Sequence, residues 1–200
     1  MNTTVFKNNL KNHFQTNYDP IQIIVNESSI ESSVSIIIRE FNSLFEVLLI
    51  KRTTKNSDKF SGHMAFPGGV KERTDKDSLV TAIRETNEEI GLDTKSNCIL
   101  IGRFSDYKPV NPDVNRFIVS PFIFYLDNTD AHLVKCKEEV EDIVWVPLDF
   151  LISKLDESNR IGTKNNSTYK DNVFEYKNYK IWGVTGKILY AFLLEIKDYC

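Results

Sequence analysis

The sequence has few of the residues that mark secreted, zinc-binding or membrane-spanning proteins. Only three of its 200 residues are cysteine, and they are widely spaced with no Cys-x-x-Cys pair. Such thiols are expected to be reduced and to form neither a disulfide framework nor a zinc site. No apolar run approaches the length of about 20 residues that a membrane-spanning helix needs, and no signal-peptide core is visible. These absences predict a cytoplasmic protein without a membrane partner.

Basic residues are also scarce relative to acidic ones. The chain carries 25 Lys and Arg against 28 Asp and Glu, for a net charge of −3. Nucleic-acid binding relies on clustered Lys and Arg that contact phosphates, so no nucleic-acid partner is predicted. The share of hydrophobic residues, 41%, is sufficient for one ordinary core.

What the sequence does contain is a segment rich in glycine and acid, FPGGVKERTDKDSLVTAIRETNEEIGL, at positions 66–92. Its Pro67-Gly68-Gly69 start predicts a sharp loop whose backbone can approach a ligand closely. A helical pattern follows from about Ser78 to Ile90 and stops at Gly91, a helix-ending residue.

Three carboxylates on this predicted helix form a cluster. Glu85, Glu88 and Glu89 are spaced i, i+3 and i+4, which gathers them on the side roughly opposite the inward-packing Leu79, Ala82, Ile83, Thr86 and Ile90. A solvated acidic face is the ordinary interpretation of such a pair or triple. A cluster of hard oxygen ligands is also what Mg²⁺ or Mn²⁺ requires.

The full spacing resembles the Nudix box of the Nudix hydrolases, a long and specific motif. The resemblance rests on Gly69, Asp75, Arg84-Glu85, Glu88-Glu89, Gly91 and Leu92. It implies an α/β (α+β) fold, a mixed β-sheet sandwiched between helices, and metal-dependent hydrolysis of a diphosphate by attack of water on phosphorus. Asp75 departs from the family pattern, which usually has Glu there, and one extra residue separates it from Arg84.

The resemblance also implies roles for individual residues. Glu85, Glu88 and Glu89 would hold Mg²⁺ or Mn²⁺, Arg84 would hold the carboxylates in place, and Gly68 and Gly69 would bring backbone groups beside the substrate. Glu88 is the candidate general base within the box. Glu138 or Glu139 is the candidate outside it, because some relatives place an acid from that region near the metals; a solvated turn is the other interpretation of that pair.

A second resemblance concerns the substrate. The run Leu48-Leu49-Ile50-Lys51-Arg52, then Gly62, then Phe66-Pro67-Gly68-Gly69 is similar to the motif of coenzyme A diphosphatases, and Trp182-Gly183-Val184-Thr185 resembles a Trp-Gly-x-Thr stretch of that subgroup. It implies a coenzyme A-like nucleotide substrate bound by Arg52. The subgroup's second arginine is absent, and only Lys59 could substitute for it.

Two other functions stay open. A nucleotide sugar or a dinucleotide could be the substrate, because the second basic position is altered. A non-catalytic Nudix domain that senses a nucleotide is the alternative from another class, but such domains usually lose box carboxylates, which are all present here. The oligomeric state is not indicated by the sequence.

The remaining chain is divided into residues 1–30, a helical appendage with a connection, and residues 31–200, the Nudix domain. The helical spacing of Thr3 to Tyr18, with two lysines and no acid, predicts a docked helix, with a mitochondrial presequence as the alternative. Trp145 and Trp182 are predicted to be core residues, and His63 a loop residue or a phosphate contact. Further predictions are a hairpin of Ser33–Arg39 and Glu46–Arg52 turning at Asn42-Ser43, strands at Cys98–Phe104 and at Phe117–Leu126 with an interruption at Pro121, a surface loop at Arg160–Asp171, and a closing helix at Lys187–Lys197.

Overall fold

A seven-stranded mixed sheet with helices on both faces organises the protein. The computed structural model describes residues 3–54, 61–128, 130–164 and 167–199. In chain order the elements are α1 (Thr3–Asn12), a π-helical turn (His13–Asn17), β1 (Ile30–Phe41), β2 (Leu44–Arg52), β3 (Met64–Ala65), β4 (Gly68–Val70), α2 (Ser78–Ile90), α3 (Thr94–Asn97), β5 (Cys98–Arg103), β6 (Phe117–Leu126), β7 (Val140–Pro147), α4 (Leu148–Ser153), α5 (Leu155–Ser158), β8 (Asn159–Lys164), β9 (Ser167–Asn172), β10 (Phe174–Tyr176), β11 (Tyr179–Ile181) and α6 (Gly183–Ile196). This confirms the predicted mixed sheet between helices.

Strand β1 is the centre of the sheet. It pairs in parallel with β6 and antiparallel with both β2 and β4. The predicted hairpin of β1 and β2 is confirmed: Asn42 and Ser43 have φ values of 50° and 64°. Two successive positive φ values are the geometry of a tight two-residue hairpin turn, which matches the twist of the strands.

The two faces of the sheet bury two separate cores. Along β2, Val47 and Leu49 face the larger core, whereas Leu48 and Ile50 face the smaller one beneath α2. This alternation is the period-two pattern of a strand covered on both sides. Arg52 continues the parity of Leu48 and Ile50, and it therefore emerges on the α2 side, where the strand ends.

The amino-terminal helix packs into the larger core. Phe6, Leu10 and Phe14 are buried there, and the ring of Phe6 stacks on Phe45 with centroids 3.8 Å apart. The predicted docked helix is confirmed, although its last turn, His13–Asn17, is π-helical. The division of the chain at residue 30 stays a prediction.

Helix α6 closes the same core from the carboxyl-terminal side. Its apolar residues Ile188, Leu189, Phe192 and Ile196 are buried, as the closing amphipathic pattern predicted, and the helix begins four residues earlier than expected. None of the helices in the described part of the chain, α6 included, combines the length and the apolar character that crossing a bilayer requires.

Three local expectations were wrong. The described residues of the predicted loop at 160–171 form the paired strands β8 and β9. Backbone pairing between two polar segments does not require alternating apolar residues, so the sequence shows no strand periodicity there. Pro121 does not interrupt β6, because its carbonyl still accepts a hydrogen bond from Phe104 N at 2.9 Å. This pairing lies where β5 ends, so the N–H that proline lacks would have no strand residue opposite it to bond. Trp182 is 40% exposed rather than a core residue.

The packing of α1 predicts that it contributes strongly to stability. Phe6→Ala should lower the free energy of unfolding by about 3–5 kcal/mol, because a fully buried, stacked ring is lost and a cavity remains. Val5→Ala is the matched control, since Val5 is 49% exposed on the same helix. Urea denaturation of both variants provides the measurement, and an unchanged midpoint for Phe6→Ala would contradict the docking of α1.

Candidate active site

Helix α2 is delimited by the signals seen in the sequence. The Asp77 side chain accepts a hydrogen bond from Val80 N at 2.9 Å and caps the first turn. At the other end Gly91 adopts φ 66°, and its N–H donates to Asn87 O. The predicted limits Ser78 and Ile90 are confirmed.

The two loop glycines are required by close approaches. A Cβ on Gly68 would lie 2.2 Å from Ser33 O, and a Cβ on Gly69 would lie 2.4 Å from the carboxyl carbon of Glu85. Gly68 N donates a hydrogen bond of 2.8 Å to Glu89 Oε2. A side chain at position 68 would push the loop away from β1, and one at position 69 would push it away from Glu85. The glycines therefore allow the loop backbone to lie directly against two carboxylates.

The three helical carboxylates do not share one outward side, contrary to the sequence-based expectation. Glu89 is only 3% exposed and the Glu85 side chain is 15% exposed, whereas the Glu88 side chain is 53% exposed. The reason is that strand β4 packs over the helix face that carries Glu85 and Glu89 and covers them. Glu88 lies beyond that cover.

Arg84 ties the outer carboxylates together behind the cleft. It contacts Glu85 Oε1 at 3.0 Å, Glu88 Oε2 at 2.8 Å and Asp75 Oδ2 at 2.9 Å. The hydrogen bond from Arg84 is the main reason that the pKa of buried Asp75 falls to about 2. Asp75, the residue that departs from the family pattern, is therefore an anchor for Arg84 and does not face the cleft.

A distant segment forms the opposite wall. Cys136 N donates to Glu89 O at 2.8 Å, and Glu139 N donates to Cys136 O at 3.0 Å. On its other side Glu139 O accepts from Thr53 N at 2.9 Å. Glu139 is thereby fixed between the end of β2 and the last turn of α2.

These elements enclose a polar cleft of about 280 Å³. Of the sequence-predicted site residues, the cleft contains Arg52, both glycines, Glu85, Glu89, Glu138 and Glu139. Arg84 and Glu88 are not among its lining residues. Lys59 lies outside the described residues. Thr53 and Val70 also line the cleft and were not predicted as site residues. Both could have been inferred from the sequence, because they directly follow the predicted site residues Arg52 and Gly69. Within the described part of the chain, the cleft is lined by Arg52, Thr53, Gly68, Gly69, Val70, Glu85, Glu89, Glu138 and Glu139.

Burial and like charge dominate the electrostatics of the cleft. Burial is the main cause that raises the pKa of Glu89 to about 8; the neighbouring Glu85 and Glu139 raise it further, while the Gly68 N–H and Arg52 oppose the rise. Burial likewise raises the pKa of Glu85. The cleft therefore holds carboxylates whose charged forms are only partly compensated by Arg84, Arg52 and the Gly68 N–H, and a cation would add to that compensation.

The donor set fits a hard divalent cation in one respect and not in another. Within residues 3–54, 61–128, 130–164 and 167–199, no three His, Cys, Asp or Glu side chains converge closely enough to hold a metal ion. Mg²⁺, however, usually binds through one or two carboxylates, keeping waters and taking substrate phosphates as its other ligands. The buried, under-compensated carboxylates of Glu85 and Glu89 fit that mode of binding.

Comparisons with known proteins agree with the fold and the motif. The NUDIX domain family matches residues 30–164. The chain is 31% identical to the peroxisomal coenzyme A diphosphatase NUDT7 of Mus musculus, over 68% of this chain and 58% of that protein. It is 34% identical to Nudix hydrolase 15, mitochondrial, of Arabidopsis thaliana, over 72% of this chain and 50% of that protein. The chain thus spans about half the length of the curated relatives it matches.

Among solved structures, the binary complex of the Ap4A hydrolase of C. elegans superposes with a TM-score of 0.53 at 18% identity, over 84% of this chain and 98% of that one. At this level of identity the superposition supports the fold alone. The names of the two curated relatives refer to peroxisomes and mitochondria. The cytoplasmic location expected from the cysteines therefore stays a prediction.

The environment of Glu89 predicts a pH-dependent penalty in metal-free protein. The carboxyl in the unfolded chain ionises near the ordinary glutamate pKa of 4.5, whereas the folded one keeps its proton up to a pKa of about 8. Between these values the unfolded state binds fewer protons, so wild-type stability should fall as pH rises, relative to Glu89→Gln. Because one pKa unit corresponds to about 1.4 kcal/mol, the variant should be more stable by at least ~1 kcal/mol at pH 8.5.

Denaturation in EDTA at pH 4.5 and pH 8.5 measures this difference. The low-pH pair is the internal control because Glu89 is then protonated in the folded state and about half protonated in the unfolded chain, so it changes the free energy of unfolding by only about 0.4 kcal/mol. The same difference in free energy of unfolding between the two proteins at both pH values would contradict the burial of the Glu89 carboxylate. Added Mg²⁺ should then stabilise wild type and leave Glu89→Gln nearly unchanged.

Proposed function

The chain belongs to the NUDIX family, and on that premise we propose that it is a metal-dependent hydrolase that breaks a diphosphate linkage in a nucleotide-linked small molecule. The observation that carries this proposal is the composition of the cleft. Buried carboxylates from one helix turn, Glu85 and Glu89, share it with Arg52 and with the backbone of a glycine loop. Carboxylates for a cation beside a guanidinium for phosphate are the groups that diphosphate hydrolysis needs.

Each residue of the cleft has a role in this proposal. Glu85 and Glu89 would hold Mg²⁺ or Mn²⁺, which when bound supplies positive charge for the diphosphate and acidifies a water molecule. Gly68 N–H orients the Glu89 carboxylate, and Arg84 orients Glu85. Arg52 binds phosphate oxygens, for which a planar guanidinium is well suited.

The general base is assigned to Glu139 in preference to Glu88. Glu139 lines the cleft and its side chain is not enclosed by protein, so it can reach a water beside the substrate. Glu88 is held by Arg84 at 2.8 Å on the far side of that arginine, and it would have to leave this ion pair to act as a base or as a metal ligand. The role predicted for Glu88 thus requires a rearrangement that Glu139 does not.

Coenzyme A or one of its derivatives is the substrate we propose within this class. Hydrolysis would give 4′-phosphopantetheine, or its acyl form, and adenosine 3′,5′-bisphosphate. Support comes from the 31% identity to a coenzyme A diphosphatase and from Arg52, which lines the cleft at the motif's basic position. The lysine at position 59 in place of a second arginine keeps nucleotide sugars and dinucleotides as rival substrates.

Activity should depend on Glu89. Glu89→Gln should lower kcat/KM by ~100-fold or more without loss of the fold, which is comparable to removing a major electrostatic contribution to the transition state. Glu157→Gln, at an exposed glutamate on α5, is the control and should retain wild-type rates. Rates within a few-fold of wild type for Glu89→Gln would reject the assignment of the cleft as the active site.

Substrate choice should depend on the 3′-phosphate of coenzyme A. A charge-assisted contact to that group is typically about 1.5–3 kcal/mol, so kcat/KM for coenzyme A should exceed that for dephospho-coenzyme A by about 10-fold or more. Lys59→Ala should reduce the preference while leaving dephospho-coenzyme A turnover nearly unchanged. Lys76→Ala, at an exposed lysine before α2, is the matched control.

A screen of diphosphate compounds with Mg²⁺ and with Mn²⁺, products identified by mass, decides among the substrates. Because coenzyme A and dephospho-coenzyme A carry the same scissile diphosphate, their comparison separates recognition from chemistry. Faster cleavage of a nucleotide sugar than of either would refute the coenzyme A proposal and keep the hydrolase. No cleavage of any diphosphate would refute both.

A further inference from the structure

Trp182 is an aromatic side chain that the core does not use. Trp182 is 40% exposed. The other tryptophan, Trp145, packs against the smaller core and has the guanidinium of Arg39 3.9 Å from its ring centroid. A single exposed apolar side chain is common on protein surfaces and needs no explanation by itself. Trp182, however, is linked to Arg52 of the cleft through one neighbouring residue.

The connection passes through His63. The rings of His63 and Trp182 pack at 4.7 Å between centroids with an interplanar angle of 55°. His63 O accepts a hydrogen bond of 3.0 Å from Arg52 N, which extends the pairing of β2 and β3 by one residue. Directly paired residues of an antiparallel ladder project from the same face of the sheet. His63 therefore shares the face of Arg52, which lines the cleft.

The backbone next to Trp182 borders open space, and the indole itself is in contact with a neighbouring ring. A Cβ built on Gly183, the next residue, would meet no atom within 4 Å. Contact with His63 restricts the orientation of the indole, which reduces the entropy that a bound ligand would have to remove. The Nζ atom of Lys180 lies 5.9 Å from the centroid of the Trp182 ring, so positive charge is also close to the indole.

We propose that Trp182, positioned by His63, is the stacking surface for the nucleobase of the substrate. Flat heteroaromatic bases stack on tryptophan, and the base of a nucleoside diphosphate lies one ribose away from the phosphates that Arg52 would bind. The pantetheine arm of coenzyme A is a flexible chain without a ring and has no comparable complement to an indole face. This inference deepens the proposed function and rests on it only for the claim that the ligand is a nucleotide.

Tryptophan fluorescence tests the contact without any turnover. Because the chain has two tryptophans, Trp145→Phe leaves Trp182 as the sole reporter. Titration with adenosine 3′,5′-bisphosphate should quench its emission saturably, whereas ribose 5-phosphate and 4′-phosphopantetheine should not. The reciprocal variant Trp182→Phe, which reports from Trp145, should show no change. Absence of quenching, or quenching by 4′-phosphopantetheine alone, would overturn the assignment.

Kinetics provides the second test. With whichever adenine-containing diphosphate is cleaved, Trp182→Ala should raise KM about 10-fold with kcat within about 3-fold, a factor of ten corresponding to about 1.4 kcal/mol of lost stacking. Trp182→Phe should recover most of the affinity. Phe41→Ala, at another exposed aromatic at the end of β1, is the matched control and should match wild type.

The two proposals fail separately. Quenching by the adenosine bisphosphate in a protein that cleaves no diphosphate would reject the hydrolase and keep the nucleobase site. Efficient cleavage with an unchanged KM for Trp182→Ala and no quenching would reject the nucleobase site and keep the hydrolase.

Discussion

The burial of the Glu89 carboxylate is the constraint on which the rest of the cleft depends. A carboxylate removed from water is unfavourable unless hydrogen bonds or a cation compensate for it. Here one backbone N–H, from Gly68, reaches it at 2.8 Å, while two other carboxylates raise its pKa further. Glu89 also sits in the last turn of α2, where the helix dipole disfavours negative charge. The protein thus accepts local instability at one point, which is a common property of functional sites.

The surroundings of Glu89 fit that constraint. The loop glycines are needed because a Cβ on either would collide with β1 or with Glu85. Arg84, anchored by Asp75, draws Glu85 and Glu88 together from behind and neutralises the outer part of the cluster. The inner part of the cluster would be neutralised by Arg52 and by a bound cation. The charged groups that would contact a substrate are therefore different from Arg84, which pairs with the carboxylates of the helix.

Much of the fold could be predicted because its signals are local. The limits of α2 follow from Asp77 and Gly91, residues that cap or end a helix through contacts within a few positions of the chain. The turn at Asn42-Ser43 likewise needs only its own two residues. Strands β8 and β9 escaped prediction because backbone pairing between polar segments leaves no periodicity, and Pro121 was misjudged because the cost of a missing N–H depends on which neighbour that residue faces.

The sequence by itself determined the chemistry available to this protein: a glycine loop, a carboxylate helix and a basic residue at motif spacing. Only the tertiary structure decided which of those groups meet. Glu89 turns inward and Glu88 outward because β4 covers one face of α2, and Glu139 joins the cleft through hydrogen bonds to Thr53 and Cys136, the first far away along the chain. Trp182 packs against His63, which is more than half the chain away in sequence and pairs with Arg52 of the cleft. Helix caps and turns depend on neighbours in sequence, whereas burial, ion pairing and pKa depend on neighbours in space, which are known only once the sheet has brought distant segments together.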